Sequence, residues 1–240
     1  MIEMPHTAMV LAAGLGTRMR PLTDATAKPL LEVAGRSMID RLLDSLAAAG
    51  VKKAVVNVHW CADQVEAHLK KRSDIEIVIS DEREAVLETG GGLAKARPLL
   101  GDDPIFVVNT DAFWEPSGPD PLRDLALSFK MELMDELLLL ADTKRCLGFP
   151  GAGDFLLDKA GKLTRRGDAP SAPWAYAGLR ILKPQLYDDA PIEPFSANRI
   201  WNDLLPKERM FGHPLDRFWL HVGDPGALKD AEFWLRCNGA

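Results

Sequence analysis

A chain of 240 residues, 47% hydrophobic and 27% charged, has the composition of a folded globular protein and can bury a sizeable core as one large α/β domain. Its net charge of −6 argues against broad nucleic-acid binding but is compatible with a local basic pocket, and no apolar run is long enough for a membrane span. Cys61, Cys146 and Cys237 lack metal-ligand spacing, and residues 1–7 have neither the basic region nor the apolar core of a secretion signal, so reduced thiols in a cytoplasmic protein are expected.

The apolar run at residues 9–13 predicts a buried first strand. It leads into Gly14-Leu15-Gly16-Thr17, where two glycines let the backbone turn sharply and approach a ligand without a Cβ in the way. Arg18 and Arg20 follow, with Lys28 further on. Successive N–H groups after a strand form an anion-binding concavity, and fixed cations beside it complete a polyphosphate site. Two other phosphate motifs are excluded by spacing. Met19 stands where a dinucleotide fingerprint needs its third glycine, and no Gly-Lys-Ser/Thr follows as a P-loop requires. On its glycines alone, the string fits a plain strand-to-helix turn equally well.

Further along, Ser37 reads as an N-cap, Met38, Ile39, Leu42, Leu43 and Leu46 share one helical face, and Gly50 closes the helix. Residues 54–58, 75–79, 105–108 and 137–141 read as strands; residues 63–71, 93–99 and 122–134 read as helices. This alternation predicts a parallel sheet with its ligands beyond the carboxyl ends of the strands. After about residue 150 the pattern changes to a hairpin at 155–164, strands at 174–182 and 218–222, and helices at 198–205 and 226–237.

Glu88-Thr89-Gly90-Gly91-Gly92 falls between the third strand and the helix at 93–99. Three adjacent glycines are costly to order. They suit backbone lying against a flat ring, with main-chain groups reading its edge; a helix-entry turn is the alternative. Glu88 either closes that pocket or caps the helix. Asn109-Thr110-Asp111 puts a carboxylate just past a buried strand, where an open sheet keeps its working residues. A carboxylate there suits Mg²⁺, which takes one or two carboxylates with phosphate oxygens and waters.

The string Leu11-Ala12-Ala13-Gly14-Leu15-Gly16-Thr17-Arg18-Met19, with Lys28-Pro29-Leu30 downstream, resembles the signature of the sugar-1-phosphate nucleotidyltransferases. The resemblance implies a Rossmann-like α/β fold, with a mixed, mostly parallel central sheet flanked by helices and a smaller sugar-binding β part. It implies one domain over 1–240, with a nucleotide-binding half at 1–115 and a sugar-binding half at 116–240. Its implied nucleotide-binding residues are Leu11, Ala12, Ala13, Gly14, Gly16, Thr17, Arg18, Lys28, Glu88, Gly90, Gly91 and Asn109. Arg18, Lys28 and Asp111 would carry catalysis, Asp111 with Mg²⁺ as cofactor.

The family's second metal aspartate, in Trp-x-Asp-x-Gly-Thr, is replaced here. Trp219-Leu220-His221-Val222-Gly223-Asp224 puts His221 in its column and Asp224 in the threonine's. His221 acting through water, Asp224, or neither remains open, and Asp224 also reads as an N-cap. Asp154, Tyr176 and Gly178 match segments lining the sugar pocket. The usual Glu-Lys-Pro is absent, leaving Arg165 or Arg166 to replace its charge or to form a solvated face. Phe113 and Trp114 either cover the site or pack.

The expected substrates are a nucleoside triphosphate, UTP favoured, and a sugar 1-phosphate. The closest likeness is to the short members that act on N-acetylmuramate 1-phosphate in cell-wall recycling. Neither nucleic acid nor membrane is expected as a partner, and a monomer or small homo-oligomer is. A guanylyltransferase for mannose 1-phosphate is the runner-up, and a non-catalytic nucleotide-binding regulatory subunit is the reading from another class.

Overall fold

The computed structural model describes residues 4–118 and 120–238, so residues 1–3 of the segment assessed for an export signal lie outside the described residues. In chain order it begins with β1 (Thr7–Leu11), β2 (Glu32–Val33), β3 (Arg36–Ser37), α1 (Met38–Ala49), β4 (Lys53–Val58), α2 (Ala62–Leu69) and β5 (Glu76–Asp81). Next come α3 (Glu88–Leu100), β6 (Ile105–Asn109), β7 (Ala112–Trp114), α4 (Pro121–Ser128), β8 (Glu136–Asp142), β9 (Cys146–Leu147), β10 (Phe155–Leu157) and β11 (Leu163–Arg165). β12 (Trp174–Leu182), α5 (Asn198–Leu204), β13 (Met210–Pro214), β14 (Trp219–His221) and α6 (Pro225–Cys237) complete it.

The main sheet runs β11-β10-β12-β6-β1-β4-β5, with β8 paired to β12 and β13 to β8. β5, β4, β1 and β6 are parallel, as the alternation of strands and helices predicts. β12 enters antiparallel to β6, so strands from both ends of the chain share one continuous sheet. The α/β fold with a mixed central sheet flanked by helices is therefore the one expected. No helix of the described residues is long and apolar enough to cross a membrane.

α1 forms as its residues dictate. The Ser37 hydroxyl accepts the Asp40 N–H (3.1 Å), Gly50 ends the helix at φ 101°, and the predicted apolar face is buried. β1 starts and ends two residues before the predicted strand, because the Ala12 N–H leaves the ladder and donates to Asn57 Oδ1 (2.6 Å). α4 stops at Ser128, short of the predicted 134, where buried Phe129 turns extended and a turn at 130–134 follows. The strand β13 and the β2–β3 hairpin lack period-2 alternation long enough to show in the sequence.

The largest correction concerns the triple glycine. α3 begins at Glu88, so Gly90, Gly91 and Gly92 are helical and buried. Each sits where a Cβ would collide: Gly90 against the Phe195 ring (2.3 Å), Gly91 against the Glu193 carbonyl oxygen (2.0 Å) and Gly92 against Glu82 Oε1 (2.9 Å). Gly90 and Gly91 admit a segment of the second half, and Gly92 makes room for Glu82 and Asn57 of the first.

Candidate active site

The loop after β1 encloses a cavity of about 510 Å³ at the carboxyl ends of β1 and β6. Leu11, Ala12, Ala13, Gly14, Gly16, Thr17, Arg18, Lys28, Glu88, Asn109 and Asp111 line it, so these expected nucleotide residues come together. The two loop glycines do different things. Gly16 has φ +63°, and a Cβ there would lie 3.0 Å from Thr23 Cγ2 and 3.2 Å from Lys28 Cβ, so the turn itself demands glycine. Nothing lies within 4 Å of a Cβ on Gly14, so its missing side chain leaves room for a ligand.

Gly90 and Gly91 are not among the residues that line this cavity. Both N–H groups donate to the Phe195 carbonyl, at 2.8 and 3.2 Å, and are no longer free for a ligand. Their neighbours Glu88 and Thr89, with Ser196 from across the contact, face the cavity instead.

Sequence reasoning also missed a buried strut behind this loop. Asn57 accepts from the Ala12 N–H and donates to Glu82 Oε1 (2.8 Å), while Glu82 Oε2 accepts the Leu87 N–H (3.2 Å). Burial pushes the Glu82 carboxyl above the usual range, against the pull of those hydrogen bonds. The strut ties the glycine loop to β4, β5 and the start of α3. An asparagine inside an otherwise apolar strand was its only sequence signal.

Lys28 Nζ donates to Asp111 Oδ2 at 2.7 Å. Burial works to raise the Asp111 carboxyl, but the Lys28 charge, His221 and the Lys28 hydrogen bond outweigh it and hold the group below its ordinary value. Asp111 is therefore a carboxylate, and it holds Lys28 Nζ at the wall of the cavity. Arg18 is exposed, and no ion pair or hydrogen bond engages its guanidinium among the described residues. Its Nη1 would lie 3.3 Å from a Cβ on Gly223.

A second cavity of about 230 Å³ adjoins the first, and Arg18 and Asn109 line both. Tyr176, Gly178, Trp219 and His221 form much of its wall. A register shift in β12 against β8 falls between Tyr176 and Arg180, with Gly178 inside it at φ +83°. A Cβ at Gly178 would approach Ala112 Cβ to 2.7 Å. The bulge therefore presents bare backbone to the cavity, as bulges beside active sites do. Beneath it, Arg180 pairs with Glu136 (2.9 Å) in the fully buried core, and Arg180 Nη1 donates to the Tyr176 hydroxyl (3.3 Å). Burial pushes that phenol up to about 12, so it stays protonated.

The other sugar-side candidates have partners within the fold. Asp154 lines neither cavity: its Oδ2 accepts the Tyr176 N–H (2.9 Å), which shapes the strand instead. Arg165 lies over the Phe155 and Trp201 rings and bonds Asn198 and Asn202, and Arg166 bonds the Gly153 and Ala169 carbonyls. Neither arginine is among the residues lining the two cavities. Phe113 and Trp114 line neither cavity; they face a groove on which Arg41 stacks over Phe113 (5.3 Å).

β14 pairs with β7 so that His221 stands opposite Ala112, and the Val222 N–H donates to the Asp111 carbonyl (2.7 Å). This brings His221 Nε2 to 3.8 Å from Asp111 Oδ2, while Nδ1 lies 3.1 Å from the Gly148 carbonyl and so carries hydrogen. Asp224 is instead the N-cap of α6, its Oδ1 accepting from Gly226 and Ala227 at 2.9 Å each. That geometry disfavours it as the second metal ligand. No group of three or more His, Cys, Asp or Glu among the described residues can hold a metal ion. What remains is one ionised carboxylate and the buried, unpartnered Asn109 Oδ1, both beside the phosphate loop. This oxygen-poor set fits Mg²⁺ carried in mainly by phosphates and not a protein-built cage.

A family profile described as Nucleotidyl transferase matches residues 7–129. The N-acetylmuramate alpha-1-phosphate uridylyltransferase of Caulobacter vibrioides is 46% identical over 236 residues, 97% of this chain and 98% of that protein. The mannose-1-phosphate guanylyltransferase catalytic subunit beta of Drosophila melanogaster is 27% identical, matching 91% of this chain but only 59% of its own length. Among solved structures, the inositol-1-phosphate CTP transferase from T. maritima superposes with a TM-score of 0.78 at 16% identity, covering 99% of this chain and 98% of that one. That last likeness speaks for the fold alone. With a glycine loop opening on the cavity, a strand-end carboxylate and 46% identity to one of its enzymes over 97% of the chain, the chain belongs to the sugar-1-phosphate nucleotidyltransferases of the nucleotidyltransferase family.

Proposed function

We propose that the chain joins UTP to N-acetylmuramate 1-phosphate, releasing pyrophosphate and UDP-N-acetylmuramate. The observation that carries the reaction type is the meeting of two cavities at Arg18 and Asn109, beside the Lys28–Asp111 pair. The substrate pair is supported by the Caulobacter relative, which matches nearly end to end, whereas the guanylyltransferase match is weaker and partial.

In the reaction a sugar-phosphate oxygen attacks the α-phosphorus in line. The new P–O bond forms as the bond from the α-phosphorus to the bridging oxygen breaks, and pyrophosphate leaves with that electron pair. The glycine loop holds the triphosphate through backbone N–H groups. Arg18 neutralises charge where the two cavities meet, and Lys28 does so next to Asp111. Asp111, with Asn109 Oδ1 nearby, would hold Mg²⁺, which supplies Lewis-acid neutralisation of phosphate oxygens when bound. Positioning and charge suffice, so no covalent intermediate with the protein is needed. We place this activity in the cytoplasm, where it would return a cell-wall sugar to nucleotide-activated form.

One feature favours the non-catalytic alternative: His221 occupies the column of the family's second aspartate. Pyrophosphate release from UTP and N-acetylmuramate 1-phosphate with Mg²⁺ separates the two readings. Turnover supports the enzyme. Nucleotide binding without pyrophosphate release overturns it.

A further inference from the structure

A buried ion pair lies under the smaller cavity, where core stability alone does not call for one. Arg180 and Glu136 are 1% and 0% exposed and meet at 2.9 Å. Exchanging such a pair for uncharged groups of similar size is often neutral or stabilising. Its contacts point to another use. Glu136 Oε1 accepts from Trp201 Nε1 of α5 (2.8 Å), and Arg180 Nη1 donates to the Tyr176 hydroxyl. The Arg180 guanidinium also lies over the Tyr176 and Trp201 rings, at 5.6 and 5.4 Å, and those rings meet edge to face at 5.3 Å.

Tyr176 and Arg180 are the two ends of the β12 bulge. Between the pairs Tyr176–Leu140 and Arg180–Leu138, β12 carries residues 177–179 where β8 carries only Leu139. The ladder to β8 is interrupted there, as in any bulge, so the side-chain bond from Arg180 to Tyr176 joins the bulge across its ends. Tyr176 and Gly178 line the smaller cavity, and neither they nor Arg180 line the nucleotide cavity. A bulge free to shift would therefore move the wall of the smaller cavity.

We infer that Arg180, anchored by Glu136, is a positioning residue that clamps the two ends of the β12 bulge and so fixes the wall on which the sugar 1-phosphate rests, without touching the substrate. The inference rests on the proposed reading of the smaller cavity as the sugar site.

The test uses the wild type, Tyr176→Phe, the double variant Arg180→Met with Glu136→Gln, and the triple variant that combines them. Steady-state kinetics with UTP and N-acetylmuramate 1-phosphate are set beside calorimetric binding of UTP and thermal unfolding. The double variant leaves no charge buried, and its glutamine still accepts from Trp201, so it should melt at or above the wild-type temperature. KM for the sugar should nevertheless rise about tenfold in it and about threefold in Tyr176→Phe, which loses one hydrogen bond. The dissociation constant of UTP should stay within about twofold of wild type in both, because neither side chain reaches its cavity. The triple variant should match the double, since the bond that Tyr176→Phe removes is already gone.

Wild-type KM for the sugar in the folded double variant overturns the inference, as does an equal loss of UTP binding, which marks general loosening. Effects that multiply in the triple variant overturn it too, because Tyr176 would then act independently of Arg180. If the double variant does not fold, Tyr176→Phe decides alone, and wild-type KM there overturns the inference. Turnover with a different sugar 1-phosphate overturns the substrate reading only, and the variants are then compared on that sugar. Absence of turnover with every sugar 1-phosphate in the wild type overturns the underlying reading and the inference with it.

Discussion

Gly91→Ala separates two explanations of the triple glycine, service to the fold and service to a nucleobase. The new Cβ would lie 2.0 Å from the Glu193 carbonyl oxygen and 3.1 Å from Leu87 Cβ. Contacts under 3.0 Å are essentially never seen, so the backbone around Glu193 must retreat by at least about 1 Å. That movement pulls on the hydrogen bonds from Gly90 and Gly91 to Phe195 and on the bond from Ala197 N–H to Thr89 Oγ1 (2.8 Å). Overpacking costs about 1–3 kcal/mol, and loss of the two bonds to Phe195 adds about 1 kcal/mol each. Higher helix propensity returns about 1 kcal/mol. The net expectation is a destabilisation of about 2–4 kcal/mol, measured by urea unfolding with an unchanged m-value. KM for UTP should rise as well, because Ser196 reaches the nucleotide cavity from the displaced segment. Wild-type stability with UTP binding abolished would refute this account and restore the glycines as base readers.

Gly14→Ala should behave in the opposite way: no atom obstructs its Cβ, so stability should stay within about 0.5 kcal/mol, while KM for the nucleotide rises because the methyl intrudes on the cavity. An unchanged KM would remove Gly14 from the site. Lys28→Met and Asp111→Asn should each lower kcat by about 10²–10³-fold in a folded protein, and near wild-type kcat in either would sink its assignment. Asp135 offers a pH test away from the site. Hydrogen bonds from Arg209, helped by Lys183, hold its carboxyl down at about 2, with burial opposing. A depressed carboxylate contributes stability that is complete above its unfolded value of 3.8 and is lost as pH falls through about 2. Asp135→Asn should therefore cost up to about 2 kcal/mol at neutral pH, less after solvent screening, and flatten the acid limb of the stability curve. Superimposable acid-unfolding curves would contradict this.

What could be read from the sequence was what local chemistry decides. α1 is announced by its cap, its apolar face and its closing glycine, and the phosphate loop by a strand running into Gly14 and Gly16. Asp111 follows from the rule that strand ends carry the working residues of a parallel sheet. Distant partners decided the rest. Nothing local to Gly90 and Gly91 reveals that Phe195 and Glu193 arrive from across the chain to cover them. Nothing local to Asp154 reveals that the fold brings the Tyr176 N–H to it. Asp224 could be read as a ligand or as a cap, and Pro225 beginning a helix decides for the cap. The Asn57–Glu82 strut joins two strand ends and a helix start that only the sheet order makes neighbours.

The most direct test of the central claim is pyrophosphate release with Mg²⁺ across a grid of UTP, GTP, CTP and dTTP against the 1-phosphates of N-acetylmuramate, N-acetylglucosamine and mannose. The account predicts turnover greatest with UTP and N-acetylmuramate 1-phosphate, lost when Mg²⁺ is chelated. Pyrophosphate from GTP and mannose 1-phosphate alone would overturn the substrate assignment, and silence across the grid while UTP still binds would overturn catalysis itself.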